Sequence, residues 1–306
     1  MFNSDEGVNY ILSYSKTLVD NLNIGKNVPR ELKNIQYVVF AGLISHYGFE
    51  YVDTIYAAFN SSNFVYTKDS FSDIVRNINV NGVNVRDAHN VGSFVTLGAK
   101  RRLDGKLQIS RTIYITDNDQ FESRAKFLEK VVHEINHVVN SINKPVVLYR
   151  GNESFRVGMS VSGINGDAGF GRILEESINV LQTADIMKEI LNFTQYKVLD
   201  PGIRLVLLRI KSAYGRELNG YGYEATTPLV RGLYNNSHFK NLVVSSRLSG
   251  LINPIKTDFD SKVGEGCYIH FCDTINTLDR KGRLWWDRSE EEKIISQYIK
   301  KYNACR

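Results

Sequence analysis

No apolar run in this chain approaches the about 18 residues that a membrane-spanning helix requires. The longest candidates, IQYVVFAGLI at 35–44 and the segment around LVLL at 205–208, have the size of core elements. The opening MFNSDEGVNY carries acids where a secretory leader would carry a basic patch followed by an apolar stretch. These absences predict a soluble, cytoplasmic protein with no membrane partner. Cysteine is scarce: Cys267, Cys272 and Cys305 are too few and too close to one end for a disulfide framework, which fits a reducing compartment. A basic stripe is missing as well. The net charge of +5 arises from 38 basic and 33 acidic residues that are dispersed along the chain. The densest groups, KRRLDGK at 100–106 and RKGR at 280–283, stand beside turn signals and read as solvated loop tips, so no nucleic-acid partner is expected. Internal repeats and low-complexity linkers are lacking too, which predicts one compact unit. What is present is enough apolar material for a real core: 42% of 306 residues are hydrophobic and 11% aromatic.

Residues 1 to about 60 show apolar positions three and four apart in NYILSYSKTLVDNL and IQYVVFAGLISHYGFEYVDTIYAAF, the spacing of helices, with NVPRE as the break. Alternation then takes over. INVNGVNVR at 78–86 is built around Asn-Gly, and FVTLGAKRRLDGKLQISRTIYIT at 94–116 around Asp104-Gly105, so both predict hairpins. TDNDQFESRAKFLEKVVHEINHVVNSINKP offers capping Asp and Asn, then apolar residues at helical spacing, and a stop at Pro145. Further strands are expected over 145–163, a Gly-rich connector over 164–171 and a helix over 172–191. The remainder reads as mainly helical, closing with SEEEKIISQYIKKY, where Ser289 and Glu292 form a capping box.

The stretch that points to chemistry is VVHEINHVVN, with His133, Glu134 and His137 in the order His-Glu-x-x-His. Helical residues four apart stand one above the other, so the two imidazoles can share one ion. A carboxylate at Glu134, beside that face, can take a proton from water held by the metal and return it to a leaving amine. The apolar residues Phe127, Leu128, Val131, Val132, Ile135, Val138 and Val139 fall on the other side, which predicts a helix with a buried back and histidines turned to a cleft. A catalytic zinc takes three protein ligands and keeps one position open. The residues after His137 contain no histidine before His238, whereas LEESINVLQT supplies Glu175 and Glu176 at the start of the next helix.

On these residues the chain resembles the gluzincin class of zinc metallopeptidases, and within it uncharacterised Asn- and Lys-rich bacterial members. The likeness spans about 108–190. It implies an α+β, zincin-like fold: a small mixed or antiparallel sheet, the motif helix and a glutamate helix over 61–306, with 61–163 carrying sheet and motif helix and 164–306 mainly helical. Residues 1–60 would form a helical N-terminal extension. The thermolysin-like pattern, in which the ligand precedes a small residue, places Glu176 of Glu175-Glu176-Ser177 at the ligand position, with Glu175 as the alternative. The separation from His137 is 176 − 137 = 39 residues. The Asp that the family places four residues after the ligand falls at Val180; Asn179 or Asp185 could stand in as a second-shell partner. The family's oxyanion donor is a Tyr or His on a later element, here Tyr223 ahead of Tyr221 and His238. Substrate would pair antiparallel to RTIYIT at 111–116 or its hairpin partner.

The resemblance therefore implies a zinc-dependent peptidase with Zn2+ on His133, His137 and Glu176, Glu134 as general base and a peptide or protein as substrate. The other reading is a zincin-like binding or regulatory module with a structural metal or none. One decoy is set aside: CYIHFC at 267–272 carries Cys267, His270 and Cys272, but reads as a core strand whose alternation sends Cys267 away from the other two.

Overall fold

The computed structural model describes residues 4–20, 22, 30–67, 93–101, 107–116, 124–142, 146–149, 152–163, 170–217, 226–280 and 289–305. The chain is predominantly helical with two small sheets, an α+β protein in the broad sense. It divides into two compact units, Met1–Ile142 with Thr183–Asn219, and Asn143–Gln182 with Gly220–Arg306.

In the first unit, α1 (Asp5–Asp20) buries Val8, Ile11, Leu12, Ser15 and Val19, the three-and-four spacing that puts one face against a neighbour. That neighbour is α2 (Arg30–Tyr47), which begins just after Pro29 and buries Val38, Val39, Phe40, Leu43 and Ile44. Gly42 is there for space: a Cβ on it would stand 2.4 Å from Ile190 Cγ1. A single 3₁₀ turn, Phe49–Tyr51, leads into α3 (Val52–Ser61).

The first sheet contains β1 (Ser62–Thr67), β2 (Ser93–Arg101) and β3 (Leu107–Thr116) in the order β1-β3-β2. β2 and β3 pair antiparallel from Ser93↔Ile115 to Arg101↔Leu107, the hairpin that Asp104-Gly105 predicts, although that turn lies outside the described residues. β1 joins β3 in parallel, Ser62↔Arg111 to Thr67↔Thr116, so an all-antiparallel sheet is corrected here. Parallel neighbours need a crossover, and no local turn signal announces one. The Asn-Gly segment at 78–86 lies outside the described residues. The motif helix α4 (Arg124–Val139) follows β3. Its C-terminal end is held by Arg111 of β3, which donates from Nε to Ser141 Oγ at 2.8 Å and from Nη2 to the Ser141 carbonyl at 3.1 Å, a cation against orphan helix-end carbonyls.

α5 (Arg172–Asn192) is one unbroken helix; from Thr183 onward it belongs to the first unit, which it completes with a 3₁₀ turn, Phe193–Gln195, and α6 (Pro201–Glu217). Asp200 starts α6 by accepting from the Gly202 and Ile203 N–H groups.

The second unit opens with an antiparallel meander of β4 (Val146–Tyr149), β5 (Asn152–Val157) and β6 (Ser160–Gly163). The first half of α5 follows, then α7 (Thr227–Tyr234), α8 (Ser237–Ser249), α9 (Asn253–Val263), α10 (Cys267–Arg280) and α11 (Ser289–Ala304). α8 is bounded as its sequence directs: Asn236 Oδ1 accepts from Phe239 N–H at one end, and Gly250 takes a left-handed φ of 76° at the other. The core is aromatic: the Phe259 ring stands 5.1 Å from that of Phe271 and 5.5 Å from that of Tyr302.

CYIHFC is not a strand. It opens α10, where Tyr268, Phe271, Cys272, Ile275 and Leu278 recur at three and four and are all buried. Six residues rich in β-formers alternate by eye, but the longer window shows the helical period. Among the described residues, no helix is long and apolar enough to cross a membrane.

Candidate metal centre

The motif helix is buried on more than the apolar back that the sequence suggests. From Leu128 to Ile142 every residue of α4 and the turn after it is buried, polar side included. Leu128, Val131, Val132, Ile135, Val138 and Val139 fill one side. Glu129, Lys130, His133, Glu134, Asn136, His137 and Asn140 occupy the other, and His133 and His137 are only 6% and 8% exposed. Buried polar groups are costly unless they are partnered, so a buried polar face has to be organised.

Part of that organisation is visible. Tyr47 of α2 donates from Oη to Asn136 Oδ1 at 2.5 Å and accepts from Asn140 Nδ2 at 3.2 Å, while Asn140 Nδ2 also reaches the Asn136 carbonyl at 2.7 Å. Asn136 precedes His137 and lies three residues beyond His133. The phenol thus ties the α4 face that carries the histidines to α2. Sequence reading missed this network, because an Asn within a helix gives no hint of its partner. Glu129, one turn before His133, feels the burial: desolvation pushes its carboxyl up to about 7, against a smaller opposing pull from Lys126.

The imidazoles of His133 and His137 meet edge to face, with ring centroids 4.8 Å apart and planes at 84°. Their Nε2 atoms are 3.2 Å apart. Zinc–nitrogen bonds of about 2.0–2.1 Å at tetrahedral angles put two bound nitrogens about 3.3 Å apart. The pair therefore already has the separation that a shared ion demands. Glu176 supplies a third donor: one ligand atom from each of His133, His137 and Glu176 lies within 4.8 Å of the others, and this is the one such triad found among the described residues. Glu176 stands seven residues, about two helical turns, ahead of Thr183 on α5. Two imidazole nitrogens and a carboxylate oxygen suit zinc by donor type, so the residues present fit the ion.

The alternative ligand is otherwise engaged. Glu175 is 1% exposed, and its carboxylate accepts from Arg247 Nε at 2.9 and 3.2 Å, from Arg247 Nη2 at 2.5 Å and from the Met159 N–H at 2.8 Å. Gly158, with φ 56°, lets the β5–β6 turn close over that carboxylate; a Cβ on it would lie 2.3 Å from Oε1. Asn179, considered as a second-shell partner, accepts from Arg247 Nη2 at 2.8 Å, and Asp185 pairs with Lys188 at 3.3 Å.

Tyr223 and Tyr221 lie outside the described residues. His238 is exposed and shares a 2.9 Å contact with Asp258 of α9. Glu134 is buried beside His133. RTIYIT is the centre of its sheet, hydrogen-bonded on both sides, which corrects its reading as a substrate-pairing edge; its hairpin partner β2 is an edge among the described strands. Of the decoy donors on α10, Cys272 is buried, and burial raises its thiol, whereas His270 is exposed and binds Tyr298 Oη through Nδ1 at 2.8 Å.

Comparison with protein-family models, with curated proteins and with solved structures finds no match to this chain. The functional reading therefore stands on the geometry above.

Proposed function

We propose that the protein is a zinc-dependent hydrolase of the gluzincin type that cleaves peptide bonds, with a zincin-like arrangement of motif helix and glutamate helix. One observation carries the reading: the donor atoms of His133, His137 and Glu176, on two different helices, converge within 4.8 Å while Glu134 is buried next to the first of them. Zinc bound there supplies the Lewis acidity that makes water nucleophilic near neutral pH and polarises a carbonyl. The chain's own residues do the rest. His133, His137 and Glu176 hold the ion, and Glu134 takes the proton of the attacking water and delivers it to the leaving amine. Tyr223 donates to the oxyanion. β2, an edge among the described strands, pairs with an extended peptide, which gives recognition by main chain more than by side chain. Three cysteines without a disulfide suit a reducing cytoplasm.

The test is metal content followed by turnover. The parent and Glu134→Gln are stripped with chelator, reconstituted with zinc, assayed for bound metal and offered casein and a mixed peptide library. Both proteins should bind one zinc, and only the parent should cleave. A second reading is favoured by the burial of both histidines and by Val180 at the position where the resemblance expects Asp: a binding module with a structural metal. Bound zinc without any Glu134-dependent cleavage selects that reading.

A further inference from the structure

Arg247 is the most conspicuous group that the proposed chemistry does not use. It is fully buried, yet nothing in SSRLSG marks it as different from a surface arginine. Its guanidinium grips α5 at two successive turns, through both oxygens of Glu175 and through Asn179 Oδ1 at 2.8 Å. The Met159 N–H closes the same carboxylate from the β5–β6 turn at 2.8 Å. A buried ion pair is a poor source of stability, because desolvating both charges offsets most of their attraction. What a bidentate arginine does supply is a fixed direction.

That direction matters for the neighbouring residue. Adjacent helical side chains point about 100° apart, so fixing one fixes the other through the rotation of the helix about its axis. We propose that Arg247 is the positioning residue for the metal ligand Glu176, acting through Glu175 and Asn179. The clamp has two effects. It sets the roll of the first turns of α5, which determines where the Glu176 carboxylate is presented. It also occupies Glu175, so that only one of two adjacent acids is available to a cation. This inference rests on the proposed metal site and assigns that site a support outside its own ligands, in the manner of residues that orient ligands from behind.

The experiment uses the full chain and zinc alone as probe. Zinc affinity is measured by competition with a chromophoric chelator, and the visible spectrum of the cobalt-substituted protein reports ligand geometry. Two variants are compared with the parent: Arg247→Lys, which keeps the charge and loses the fork, and the double variant Arg247→Met with Glu175→Leu, which replaces the pair by hydrocarbon and so relieves the desolvation cost. The double variant should fold with a cooperative melt, yet bind zinc about 10- to 100-fold more weakly, with an altered cobalt spectrum. A merely structural pair predicts parent affinity and parent spectrum in the double variant, and that result overturns the proposal. A parent chain that takes up no zinc overturns the metal site and this inference together, whereas zinc held equally by parent and both variants overturns the positioning role alone.

Discussion

Two helices in this protein carry metal-capable side chains in close sequence, and they have opposite fates. α4 offers His133 and His137, and α10 offers Cys267, His270 and Cys272. On α4 the donors are four apart, so the helix itself brings their Nε2 atoms to 3.2 Å, and a carboxylate from another helix joins them. On α10 the donors are spaced by three and two, which spreads them around the axis: Cys272 goes to the core with Phe271 and Ile275, while His270 turns outward to Tyr298. The number of donors in a stretch therefore decides less than their angular spacing and the arrival of a donor from a second element.

Removing donors breaks this comparison most severely. His133→Ala or His137→Ala should abolish stoichiometric zinc binding after chelator treatment, measured by elemental analysis of reconstituted protein. Cys267→Ser combined with His270→Ala should leave the stoichiometry at the parent value. Zinc that follows the α10 donors instead would assign the metal to the wrong helix. The next effect concerns turnover: Glu134→Gln should keep the zinc and lose about 10²- to 10⁴-fold in peptide cleavage, read in steady-state assays on matched, metal-loaded proteins.

A third test sharpens the other side of the comparison. In folded protein, Cys305 is exposed and Cys267 half-buried, whereas Cys272 is enclosed and its thiol is raised by burial. A thiol-specific chromogenic reagent should therefore titrate Cys305 and Cys267 under native conditions and Cys272 only after denaturation. Rapid reaction of all three would show that the α10 face is not packed as described.

The same contrast explains what the sequence made legible. The helix over 172–191 and the strands over 145–163 are found with nearly the expected bounds, because apolar periodicity over many residues encodes them. Ligand spacing on α4 is likewise a local property. Three features are not local. The parallel pairing of β1 with β3 joins segments more than forty residues apart, and the turn signals between them announce hairpins rather than a crossover. The difference between Glu175 and Glu176, adjacent and chemically identical, is decided by Arg247 and by the N–H of Met159, one residue beyond Gly158, on distant segments. The burial of the polar side of α4 depends on what covers it, and nothing in VVHEINHVVN specifies the cover. CYIHFC misleads for a different reason: so short a segment hides the helical period, which Ile275 and Leu278 complete.

The smallest expected effect comes from that buried polar face and can be worked out in sign. Burial holds the Glu129 carboxyl at about 7, above its ordinary 4.5. Between those values the folded chain binds more protons than the unfolded one, so stability falls as pH rises through the window, and the full penalty applies above about pH 7. A shift of this size corresponds to about 3 kcal/mol. Glu129→Gln keeps the shape and removes the ionisation. In metal-free protein its urea-unfolding free energy should therefore decline less between pH 5 and pH 8 than that of the parent, with the two diverging most at the alkaline end. Parallel pH profiles would mean that water reaches Glu129 freely. They would also remove the physical basis for treating the histidine-bearing face of α4 as a desolvated site, in contrast to the solvent-facing side of α10.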